Sequence, residues 1–170
     1  MCKSLEDVLQ VVESMKSICE LPFYSKAATS FLKLELLDEK IKPSDIGTKK
    51  ILLQLPCEIR EICIPYLSGD LDLLKYAVDI GCPCVRIWCS EIGRGQGITD
   101  TKRLSTIVKS TNAPLILEGG IVSPDHAKLA MEIGFKAVLV NSAFRLSREP
   151  VDLARKFRVA IDSVRPTKYI

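Results

Sequence analysis

No apolar run in these 170 residues approaches the roughly 18 needed to cross a bilayer, and the opening "MCKSLEDVLQ" is too polar for a secretory signal. Aromatic residues make up only 6%, the net charge is a slight +3, and the basic residues are scattered rather than clustered. Neither a membrane role nor a nucleic-acid surface is expected from this balance. Histidine occurs once, at His126. The seven cysteines (Cys2, Cys19, Cys57, Cys63, Cys82, Cys84 and Cys89) are odd in number and irregularly spaced, which predicts free thiols in a reducing, cytoplasmic setting. Cys82, Cys84 and Cys89 stand close together, but C-x-C-x4-C lacks the paired C-x-x-C spacing of zinc sites and has no histidine nearby. Neither a metal nor a cofactor is expected.

What is present is alternation. A first helix is capped by Ser4, with Leu5, Val8, Val12 and Met15 on one face. The strand "SFLKLELL" follows, then a helix over 44–54, a strand at 61–67 and a helix over 70–80. A strand at 84–89, a helix over 100–110, a strand at 114–119 and a helix over 124–133 come next. The series closes with a strand at 137–142 and a helix from Pro150 to Val164. One helix followed by five strand–helix units predicts an α/β fold with a parallel sheet, residues 1–170 forming a single domain. "YAVDIGCPCVRI" and "LAMEIGFKAVLV" both pass from a helix end through glycine into a strand, the mark of a repeated βα unit.

In such folds chemistry gathers in the loops after strands. "SEIGRGQGI" carries Gly93, Gly95 and Gly97, able to let a backbone approach a ligand. Glu118 ends a strand before Gly119 and Gly120, and Ser123-Pro124 open a helix, while Asn141 and Ser142 lie after the last strand. Two adjacent polar loops of small residues suit a phosphate. Lys33 and Glu35 share one face of an apolar strand. They form either a weak surface pair or part of a site, and a parallel sheet covered on both faces makes a bare wet surface less expected and raises the weight of the site. His126 and the basic set Arg145, Arg148, Arg155, Lys156 and Arg158 are expected at the surface, and Trp88 in a pocket wall.

The segments "FLKLELL", "CIPY", "DIGCPCV", "SEIGRGQGI", "PLILEGGIVSPDHAKLAMEIGFKAVLVNSAF" and "EPVDLARKFRVAIDS", in this order, resemble bacterial thiazole synthase of thiamin biosynthesis. The resemblance implies a (β/α)8 barrel, here a partial one of a helix and five βα units. It implies condensation of 1-deoxy-D-xylulose 5-phosphate with dehydroglycine, sulfur coming from the thiocarboxylate of a small sulfur carrier protein. Lys33 would form the imine with the sugar ketone, Glu35 would move protons, and Glu118 stands where the family usually has aspartate. Gly95, Gly119, Gly120, Asn141 and Ser142 would hold the substrate. An amine attacks a ketone only when neutral, so Lys33 needs a lowered pKa, as burial provides. Glu35 lies about 6 to 7 Å along the strand, within reach of the same substrate.

The sequence also departs from the family. Arg86 and Trp88 bring bulk where its strand ends in proline and small residues, Arg94 replaces a common serine, and Glu118 is one methylene longer. Five strands do not close a barrel, so the expectations are that a second copy or a complementing chain completes it, that the sheet stays open, or that the sequence is a shortened or incompletely recorded chain. A non-catalytic relative that binds the sugar phosphate or the carrier protein is the alternative to an enzyme.

Overall fold

The computed structural model describes residues 31–36, 49–50, 53, 62–91 and 94–164. Five strands form one sheet, all neighbours parallel, in chain order: β1 (Phe31–Leu36), β2 (Ile62–Leu67), β3 (Val85–Trp88), β4 (Leu115–Glu118) and β5 (Ala137–Leu139). Between and after them run α1 (Leu71–Asp79), α2 (Thr101–Lys109), α3 (Pro124–Ile133), α4 (Ser142–Leu146) and α5 (Pro150–Asp162). The α/β alternation with a parallel sheet is therefore as the sequence predicts. The helix expected from Ser4 lies outside the described residues. Of the helix expected over 44–54, residues 49, 50 and 53 are helical.

Helix starts follow local chemistry. Asp70 accepts from the Leu73 amide at 2.8 Å, Asp100 from Arg103 at 2.9 Å and Ser123 from His126 at 3.3 Å, each satisfying a first-turn donor that has no partner within its helix. Helix ends explain the repeated phrase. Gly81 and Gly134 follow α1 and α3 with φ of +92° and +116°, a conformation glycine adopts without a Cβ penalty. The next residues, Cys82 and Phe135, turn inward and are 6% and 1% exposed. Both then lead into strands, so the two phrases are structural equivalents.

Register divides the sheet into two chemistries. Leu67, Ile87, Leu117 and Val138 form one row; with Val85 and Leu115 this face joins Leu73, Leu74, Ala77, Leu104, Ile107, Ala127 and Ala130 in the core beneath the helices. The opposite face carries Tyr66, Arg86 and Ile116 in one row and Trp88, Glu118 and Leu139 in the next. β5 stops at Leu139, short of the expected 142, because Asn141 opens α4, a helix the sequence does not advertise. Free thiols are found at Cys82, Cys84 and Cys89.

Ile87 is 0% exposed and Val159, on α5, 69%. In urea unfolding, Ile87→Ala should cost about 2 to 5 kcal/mol through lost transfer energy and a residual cavity, and Val159→Ala no more than about 0.5 kcal/mol.

Candidate active site

The face turned away from the helices holds a buried ion pair. Arg86 is 1% exposed; its Nη1 donates to Glu118 Oε2 at 2.7 Å and its Nη2 to the Ile64 carbonyl at 3.4 Å. The guanidinium lies over the Tyr66 ring, 4.8 Å from the centroid, and the Tyr66 hydroxyl donates to the Glu118 carbonyl at 3.2 Å. Tyr66, Arg86 and Glu118 come from three neighbouring strands. Their meeting is a product of register, since no one segment of the sequence shows it.

Beyond Glu118 the chain makes a tight turn that only glycine permits. A Cβ on Gly119 would lie 2.9 Å from the Ser90 carbonyl and 3.0 Å from the Tyr66 hydroxyl, and one on Gly120 would lie 1.9 Å from Ser90 Oγ. Both residues have positive φ, +94° and +73°. The Gly120 carbonyl accepts from the Gly97 amide at 3.0 Å, which ties the glycine loop after β3 to the turn after β4. Between them opens a cleft of about 80 Å³ lined by Gly95, Glu118, Gly119, Gly120, Ile121, Val122, Leu139, Asn141 and Ser142. It sits at the carboxyl ends of β4 and β5, where α/β folds bind ligands.

Arg103, in the first turn of α2, binds the rim together. It donates to the carbonyls of Ser68 at 2.8 Å, Trp88 at 2.8 Å and Cys89 at 3.2 Å, and lies 5.6 Å from the centre of the Trp88 indole. Trp88 is partly buried beside Gly119, its Cδ1 3.5 Å from where a Cβ there would stand, and it is not among the residues that line the cleft. A wider groove of about 430 Å³ between α3 and α5 is lined mainly by exposed charges, with Arg155 paired to Asp152 on its own helix. It lacks the convergence of buried polar groups found at the cleft.

The family model for thiazole biosynthesis protein ThiG matches residues 13–168. The chain belongs to that family. It is 38% identical over 141 residues to a thiazole synthase of Vibrio campbellii, covering 81% of this chain and 54% of that protein. It is 32% identical over 166 residues to one of Prochlorococcus marinus, covering 96% and 60%. A bifunctional protein ThiO/ThiG of a Nostoc strain shares 31% over 161 residues, 94% of this chain and 24% of that one. The chain thus spans less than two thirds of the length of these relatives. Among solved structures, Amycolatopsis orientalis BexX, in complex with CysO, superposes with a TM-score of 0.74 at 22% identity, covering 94% of this chain and 67% of that one. The synthase GGGPS of Thermoplasma volcanium gives 0.57 at 18%, covering 82% and 64%. These two are likenesses of fold.

Within this ThiG-family sheet the residues singled out from sequence fall into two groups. Glu118, Gly95, Gly119, Gly120, Asn141 and Ser142 line the one cleft. Lys33 and Glu35 lie in β1, registered against Ile64 and Tyr66, which sets position 35 in the Tyr66–Arg86 row. Gly93 lies outside the described residues. Tyr66, Ser90 and Arg103 are new to the site; no spacing in the sequence singles them out. His126 is a correction. It is partly buried rather than at the surface, because Gly97 packs against its ring, where a Cβ would come within 2.4 Å of Cε1. Its Nδ1 accepts from the Val122 amide at 3.4 Å. Arg145, Arg148, Arg155, Lys156 and Arg158 are exposed, as expected.

Two measurements check this geometry. Gly120→Ala should lose about 2 to 4 kcal/mol in urea unfolding, from a left-handed backbone and an overfilled contact. Adding Ser90→Gly should return the steric part only. Cys89, 4% exposed and donating to the Gly97 carbonyl at 3.4 Å, has its thiol pushed up by burial, against an opposing pull from Arg103. The folded chain therefore keeps this proton when the unfolded chain gives it up. Its contribution to stability should be complete below pH 9.0, the ordinary thiol value, and be lost as pH rises through the folded value. Cys89→Ala should flatten that decline in an unfolding series across alkaline pH.

Proposed function

We propose that this chain carries the imine-forming site of a thiazole-synthase-type transferase. The observation that carries the reading is the cleft. Six residues that the sequence points to, Glu118 and the five small or polar substrate residues, line one pocket at the carboxyl ends of two strands. Membership of the family supplies the chemistry. In this reading the phosphate of 1-deoxy-D-xylulose 5-phosphate rests against Gly119, Gly120, Asn141 and Ser142, with backbone amides and small polar groups as donors. Lys33 attacks the ketone as the neutral amine and water leaves to give the imine; Glu35 and Glu118 move protons on the bound sugar. Dehydroglycine and a sulfur carrier thiocarboxylate are the remaining reactants.

A protein partner fits the like-folded BexX, which is crystallised in complex with a second protein, CysO. A cytoplasmic setting fits the free thiols, and no described helix is long and apolar enough to cross a membrane. One observation favours the non-catalytic alternative: Glu118 is engaged by Arg86 at 2.7 Å in a nearly buried ion pair, a role that packing alone would satisfy.

Incubation with 1-deoxy-D-xylulose 5-phosphate and borohydride, followed by peptide mass mapping, should place a reduced sugar-phosphate adduct on Lys33. Lys33→Ala should fold with an unchanged circular dichroism spectrum and form no adduct. Joint loss of folding and binding would make Lys33 a structural residue. A folded parent chain that binds the sugar phosphate without trapping would identify a binding protein.

A further inference from the structure

Arg86 is buried more deeply than stability alone explains. An ion pair taken out of water loses in desolvation about what its attraction returns, and apolar residues of similar volume fill a core as well or better. Ile116, its neighbour in the same row, is such a residue. Arg86 is also incompletely satisfied, its Nε being buried with no hydrogen-bond partner among the described residues, an arrangement that costs free energy because a buried donor has lost its water.

What the arrangement does secure is direction. Nη1 takes a single oxygen of Glu118, Oε2. The Tyr66 ring backs the guanidinium while its hydroxyl holds the Glu118 main chain. Glu118 is thus tied at both ends to one Tyr66–Arg86 unit. Its Oε1 makes no hydrogen bond among the described residues, and the side chain, 15% exposed, lines the cleft.

We infer that Arg86 is the positioning residue of this site, holding Glu118 by Oε2 so that Oε1 is presented to the molecule bound over Gly119 and Gly120. The inference rests on the imine-forming reading proposed above. Arg86 touches no reacting atom; it acts through the orientation of Glu118. Misplacement of a reacting group by an ångström costs up to about a hundredfold in rate, and this is the scale on which Arg86 acts.

The test uses the full chain, with borohydride trapping of 1-deoxy-D-xylulose 5-phosphate read as a rate at saturating sugar and a half-saturating concentration. Arg86→Met should lower the saturated rate about ten- to a hundredfold while leaving half-saturation within about twofold. Arg86→Lys, which keeps a donor and charge, should recover part of the rate. In a Glu118→Gln background, Arg86→Met should add no further loss, because the two act as one unit. An unchanged rate, a change confined to half-saturation, or a full additional loss in the Glu118→Gln background overturns the inference. If the parent chain forms no adduct, the imine reading fails on its own. Arg86 is then judged by carbodiimide coupling of glycine ethyl ester to Glu118 in the folded protein. A rise of about threefold or more in Arg86→Met supports a held carboxylate, and unchanged labelling overturns it. Should Arg86→Met fail to fold, Arg86→Lys carries the same comparisons.

Discussion

A guanidinium without access to water has to be answered from inside the fold, and here three strands answer it together. β4 supplies the Glu118 carboxylate; β2 supplies the Tyr66 ring and the Ile64 carbonyl; Arg86 itself stands on β3. A slip of one residue in β3 or β4 would carry its side chain to the opposite face and leave a buried charge unpaired, and a slip in β2 would withdraw the Tyr66 ring. The pair therefore fixes register as well as filling space. It also dictates the turn that follows, since the Tyr66 hydroxyl stands where a side chain at 119 would go. The glycine at that position, and the cleft that the turn creates, depend on the partner of a residue two strands away.

The two faces of the sheet obey different rules. Toward the helices, Leu67, Ile87 and Leu117 meet apolar helix residues in a packed core, where shape and volume decide the energy. On the other face the contacts are charge to charge, cation to ring and hydroxyl to carbonyl. Each of these is strong only because water is excluded, and each has a direction. One face gives the sheet its stability, while the other orients groups at its edge.

That division also accounts for what was readable in the sequence. Alternation, capping side chains and the glycines that end α1 and α3 are local signals, so the elements emerge within a few residues of their bounds. Glu118, Gly119, Gly120, Asn141 and Ser142 were legible because loops after strands carry sites in this architecture, and because family-specific phrases surround them. The role of Arg86 was not. On the chain it is 32 residues from Glu118, and only register brings the two together. Tyr66, Arg103 and Ser90 belong to the same class, ordinary residues whose partners are remote in sequence. His126 departs from its expected place because a helix first turn usually meets solvent, whereas here the Gly97 loop packs against its ring. β5 is shorter than the sequence suggests because "NSAF" reads as the tail of a strand, whereas Asn141 opens a helix.

The Arg103 contacts have a consequence for how the rim responds to a bound molecule. One side chain joins the start of α2 to the chain after β2 and to the end of β3. Three segments that would otherwise fluctuate independently share a single anchor, so the conformational entropy of aligning them is given up when the protein folds. A molecule entering the neighbouring cleft then meets walls already set with respect to one another, and its binding free energy is not spent on ordering them.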